Sequence, residues 1–175
     1  MLFNKLRAVE YMRRSSLDAL IATSPTNVTY FSNYHSWTDY LFKEYMISPG
    51  ASSHRLHNYA LFPLDGDPAL VVSASEAVNA ADLWVRDIHV FGDPGFDLPS
   101  KDGSLPARLD RFYRYVSKPQ SSATAMDALI NLLKMRGLSS ARIGIELEDF
   151  PAATQAAITN ALPRAMILDC TNLVR

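Results

Sequence analysis

Two β-rich runs, Asn58 to Leu64 and Pro68 to Val72, are separated by Asp65-Gly66. Both central residues of a tight hairpin turn need positive φ, and Asp-Gly supplies them, so the two runs are predicted to pair antiparallel. Elsewhere the apolar pattern switches between strand-like runs and helical spacing. Leu17 to Thr23 is a short apolar run of the kind covered on both faces, Arg142 to Glu146 reads as a buried strand, and Met166 to Cys170 reads as a last strand. An antiparallel pair inside an alternating series gives one class, an α/β layered domain with a mixed sheet flanked by helices.

The helices carry their own punctuation. Leu2, Leu6, Val9 and Met12 recur at helical spacing, which predicts an amphipathic first helix with Lys5, Arg7, Arg13 and Arg14 on its solvated side. Ser24 is placed to cap a short helix with Pro25 in its first turn, and Asn33 tolerates the left-handed conformation that ends it. Ser75 to Ala81, with Glu76 in its first turn, is a further helix, and Asp87 to Phe91 a strand. Gly92 to Pro106 holds three prolines and three glycines and reads as a surface loop. Ala107 to Lys118 fits no single period. From Ser121, Ala125, Leu129, Leu132 and Leu133 return to helical spacing up to Gly137, and Pro151 to Leu162 forms the last long helix.

With 175 residues, 48% of them hydrophobic, the chain can bury one sizeable core and has little room for two, so residues 1–175 are read as a single domain. Seventeen basic against eighteen acidic side chains leave a net charge of -1, so no overall field draws the protein to nucleic acid or to an anionic membrane. Charges interrupt the start of the chain where a signal peptide needs an apolar stretch, and no run is long enough to span a bilayer. A single cysteine, Cys170, forbids an internal disulfide and suits a reducing compartment. The expected location is the cytoplasm.

Few residues offer chemistry. No Gly-x-Ser-x-Gly elbow and no glycine-rich phosphate loop is present. His54 and His57 stand at i, i+3, a spacing that grips zinc on a helix, but the sequence shows neither a third ligand nor a helical setting. His89 lies in an apolar strand, where a hydrogen-bonded structural role is the default. Cys170 follows Ile167-Leu168-Asp169 and reads as a strand end in the core; its alternative is a thiol nucleophile working with a histidine. The richest stretch is Tyr34 to His57, dense in aromatics without clean periodicity, with a short helix expected at most through Tyr40 to Met46. It is read as a structured loop.

The order Asp18-Ala19-Leu20-Ile21-Ala22-Thr23, then Asn27-Val28-Thr29-Tyr30-Phe31-Ser32, then Arg142-Ile143-Gly144-Ile145-Glu146, then Leu168-Asp169-Cys170 running into Leu173-Val174-Arg175, resembles the N-terminal domain of the creatinase, prolidase and X-Pro aminopeptidase family. The resemblance covers essentially the whole chain and implies a ribonuclease H-like α/β fold. It also implies that the catalytic pita-bread domain, with two divalent ions such as manganese, cobalt or zinc, would follow Arg175 and is absent from this chain. No catalytic residue and no metal ligand is therefore assigned here. The implied roles are homodimerisation, docking to that catalytic domain, and control of access for a small peptide or amide substrate.

In creatinase-like relatives the passage before a "Y-A-L" strand reaches the neighbouring subunit's substrate. Tyr59-Ala60-Leu61 matches that strand start, which makes His35, Trp37, Arg55 and His57 the candidate substrate contacts in trans. The family's arginine falls on His57, which weighs against creatine itself, while Arg55 retains the bidentate fork a carboxylate needs. The alternatives are that these residues pack a loop or an interface, that the parent is a creatinase-like amidinohydrolase, or that the domain is a free-standing interaction module of the same fold.

Overall fold

The computed structural model describes residues 3–36, 57–93, 97, 103–117, 122–147, 150 and 152–174. Six strands form one sheet: β1 (Ala19–Ala22), β2 (Tyr59–Pro63), β3 (Ala69–Ser73), β4 (Asp87–Phe91), β5 (Arg142–Ile145) and β6 (Met166–Asp169), in the order β4-β3-β2-β1-β5-β6. β2 runs antiparallel to β1 and to β3, and all other pairings are parallel. The sheet is mixed and flanked by helices, as the Asp-Gly and alternation signals require.

Each face has its own apolar cluster, which explains why the strands read as continuous apolar runs. Leu20, Ala22, Ala60, Phe62, Leu70 and Val72 point to the face covered by α1 (Lys5–Arg14), α2 (Pro25–Ser32) and α3 (Ala107–Val116). Ala19, Ile21, Leu61, Val71, Ile143 and Ile145 point to the opposite face, under α4 (Ala125–Met135) and α5 (Ala152–Ala161). Period-two alternation thus distributes one set of strands over two cores. A 3-10 helix, Ala74–Ala80, links β3 to β4, and α6 (Thr171–Val174) follows β6.

Local stop signals behave as expected at several points. The Ser24 hydroxyl accepts from Asn27 N–H at 3.3 Å, and Asn33 adopts φ 61 while its N–H donates to Thr29 O at 2.8 Å. Thr124 caps α4, where Ala125, Leu129, Leu132 and Leu133 are all buried. The ambiguous stretch at 107–118 proves helical over Ala107–Val116, because Phe112 and Val116 reach the core while Arg108 and Arg111 pair with Asp82. The expected helix at Tyr40 to Met46 lies outside the described residues.

Two expectations are corrected. The β2–β3 connection is a five-residue loop, 64–68, in which Gly66 has positive φ and Asp65 does not. Leu64 N–H donates to Asp18 O at 2.7 Å, extending β2's alignment with β1, and Pro68 has no N–H to give to the ladder, so the strands separate before a two-residue turn can close. On α1, Leu6 is 85% exposed; the core-facing residues are Ala8 and Met12, anchored by Phe3 just ahead of the helix. The Asn4 side chain accepts from Arg7 N–H at 3.1 Å, and this cap fixes the helix phase that turns Leu6 outward.

Candidate functional site

The Tyr34 to His57 stretch leaves the sheet after α2 and returns at β2, and the described residues include both of its ends. Trp37 and Arg55 lie outside the described residues, as does His54. His35 is exposed and His57 half-buried, with the His57 ring edge-on to Tyr59 at 6.3 Å between centroids. Ser36 and Asn58 line one small cavity with Thr23, Val28 and Tyr34, so the two ends of the stretch meet beside the carboxyl end of β1. Its volume is about 10 Å³, room for little more than a water molecule.

Two buried glutamates hold this corner. Glu146, just beyond β5, is 3% exposed. Its Oε2 accepts from Thr23 N–H at 3.0 Å and Ser24 N–H at 2.9 Å, and its Oε1 accepts from the Asn27 side-chain amide. Thr23 Oγ1 donates back to Glu146 O at 2.8 Å. The carboxylate thereby satisfies N–H groups at the start of α2, where a helix has no internal acceptors and favours negative charge.

Glu76 is fully buried at the start of the 3-10 helix. It accepts from Tyr34 Oη at 3.0 Å and from Ser36 Oγ at 3.0 and 2.9 Å. Burial, reinforced by the charge of Glu76, pushes the Tyr34 phenol well above its ordinary range and keeps it a proton donor. Thr29 Oγ1 donates to Tyr34 O at 2.7 Å and Ser32 Oγ accepts from Tyr34 N–H at 3.0 Å, so this tyrosine is fixed at backbone and ring. A carboxylate so engaged is a structural acceptor and is poorly placed to act as a base.

The sequence pattern does not single out either glutamate as part of a site. By sequence Glu146 is the end of a strand and Glu76 a first-turn helix charge; the one available signal is that each directly joins an apolar strand or helix, where an unpaired carboxylate is costly. His89 is bonded through Nε2 to Asp87 at 3.0 Å, the structural role expected of it. Cys170 is buried, and burial together with the Asp169 charge pushes its thiol up, the opposite of what a nucleophile needs. Among the described residues no three His, Cys, Asp or Glu side chains gather as a metal site. They do not fit the two ions implied by the family resemblance, and no chemical step is routed through them. Among the same residues no helix is long and apolar enough to cross a membrane.

A family model described as the Creatinase/Prolidase N-terminal domain matches residues 5–175. The fold is similar to the Creatine_N superfamily domain of a dipeptidase from Streptococcus thermophilus, with a TM-score of 0.58 and 11% identity over 96% of this chain and 92% of that one. It is also similar to the Creatinase/Prolidase N-terminal domain of an X-Pro dipeptidase from Streptococcus pyogenes, with a TM-score of 0.55 and 14% identity over 98% of both chains. Prolidase from Pyrococcus furiosus aligns with a TM-score of 0.53 and 11% identity over 98% of this chain but 36% of its own. No curated protein matches the sequence significantly.

Proposed function

Because the chain belongs to the Creatinase/Prolidase N-terminal domain family, we propose that it is the non-catalytic domain of a metal-dependent hydrolase acting on X-Pro peptides. One observation supports this reading: the two buried carboxylates at the site, Glu76 and Glu146, are spent on holding the leading end of the 34–57 stretch, at Tyr34 and Ser36, and the start of α2. The corner is built to position a segment. In the full protein, a catalytic domain beyond Arg175 would hold two divalent ions, manganese, cobalt or zinc, and supply the activated water. This domain would support a homodimer in the cytoplasm and place His35, Trp37, Arg55 and His57 near the substrate of the partner subunit.

Rigid aromatics and arginine dominate contact energy when desolvated, which is why that stretch suits an interface or a substrate carboxylate. Trp37→Ala and Arg55→Ala, made in the full-length protein, should weaken dimerisation or raise KM while bound metal stays constant. If both variants lower only the melting temperature, with association and kinetics unchanged, the stretch is packing and the proposal fails.

A further inference from the structure

On the opposite side of β1 from α4, a groove of about 580 Å³ lies between α1, α2 and the β6–α6 junction. That volume is within the ordinary range of small-molecule sites. Phe3, Leu20, Phe31 and Leu168 give it an apolar lining, with the rings of Phe3 and Phe31 stacked at 4.6 Å. Two charged side chains also line it, Arg7 and Asp169.

Both side chains are exposed and neither forms an ion pair among the described residues, with Glu10 on the same helix acting on Arg7 through space. The Arg7 guanidinium donates from Nε to Tyr11 Oη at 3.2 Å and lies 5.2 Å over the Tyr11 ring. That stacking orients the fork, and among the described residues no carboxylate pairs with it. Asp169 accepts at Oδ1 from Thr171 N–H at 3.0 Å and Thr171 Oγ1 at 2.7 Å, bonds that hold its carboxyl below the usual range and so ionised. Among the described residues no cationic side chain pairs with Asp169 either.

We propose that this groove is a binding site for a small zwitterion with an apolar body, a free apolar amino acid or a short peptide of such residues. The ligand carboxylate pairs with Arg7 and its ammonium with Asp169, while the side chains replace water on the Phe3, Leu20, Phe31 and Leu168 lining. An uncharged apolar molecule would leave both charges uncompensated. A simple anion would meet Asp169 and a simple cation would meet Arg7; only a molecule with both charges answers both ends.

Leucine, leucylleucine and uncharged N-acetylleucinamide are titrated into the intact chain, with isothermal calorimetry as the readout. Leucine or leucylleucine should bind, and the tighter of the two identifies the source of the zwitterion. Arg7→Gln and Asp169→Asn, both on exposed side chains and the latter keeping an acceptor for Thr171, should each weaken binding about tenfold with the thermal melt unchanged. Equal affinity for N-acetylleucinamide, unchanged affinity in both variants, or no binding of either zwitterion at millimolar concentration would overturn the proposal.

Discussion

Glu146 and Glu76 are both buried carboxylates at one corner of the sheet, yet they are satisfied by different parts of the chain. Glu146 is held by two backbone N–H groups and an amide across more than a hundred residues of sequence, tying β5 to the start of α2. The bonds to Glu76 include two from side-chain hydroxyls, one from Tyr34 and one from Ser36. Backbone donors cannot turn away, whereas hydroxyls can. The first glutamate therefore belongs to the frame of the fold, and the second sets the position of residues that lead into the candidate site.

This contrast breaks if the two glutamates fail alike. Glu146→Ala leaves two part-buried N–H groups and the buried Asn27 amide without their acceptor and is expected to cost about 2 kcal/mol in urea unfolding. Glu76→Gln keeps the shape and one acceptor oxygen and should cost about 1 kcal/mol. Hydrogen exchange sharpens the distinction: Glu146→Ala should loosen the β1–α2 junction, while Glu76→Gln should raise exchange around Tyr34 to Ser36 and leave β1 and β5 protected.

The frame is also tested by close packing beside Glu146. A Cβ on Gly144 would lie 2.6 Å from Cys170 Sγ and 2.9 Å from Leu20 Cδ2. Gly144→Ala should cost about 2 kcal/mol, and Cys170→Ala in the same chain should recover part of it by removing the nearer atom. Full additivity of the two substitutions in a denaturant series would contradict this contact.

Much of this was legible in advance, for identifiable reasons. The alternation of apolar runs with capped helices is enough to specify a mixed α/β sheet, because β2 must reverse and the parallel strands need crossovers. The caps at Ser24 and Asn33 depend on local chemistry and are legible directly. The outward placement of Leu6 is not legible because several frames of α1 put apolar residues at similar spacing, and Phe3 and the Asn4 cap decide between them only in three dimensions. The roles of the glutamates are not legible because their partners are distant: Glu146 meets Thr23 and Ser24, and Glu76 meets Tyr34. Long-range pairing of a buried charge leaves no periodicity to read.

Smaller effects come from the periphery. Hydrogen bonding from His89, aided by Arg136, holds the Asp87 carboxyl at about 2, below its ordinary 3.8. A depressed folded-state value stabilises above the ordinary one and loses that contribution as pH falls from about 4 toward 2. Asp87 is partly exposed, so Asp87→Asn should cost about 1 kcal/mol at neutral pH after allowance for solvent screening. The difference between variant and parent should vanish in melts below about pH 2. Leu6→Ser should change stability by no more than about 0.5 kcal/mol, since the side chain is already in water. A loss of about 2 kcal/mol would restore Leu6 to a buried face and contradict the observed helix phase.

The central claim, a self-sufficient fold that positions a segment and performs no hydrolysis, is tested most directly by assaying the purified chain on an X-Pro dipeptide with manganese, cobalt or zinc. In parallel, its thermal melt is recorded with and without chelator. No turnover with any metal and a single cooperative melt that chelator leaves in place are the results expected. Metal-dependent turnover that copurifies with the chain and disappears on replacing His54 or His57, or a melt that collapses when chelator is added, would contradict the account.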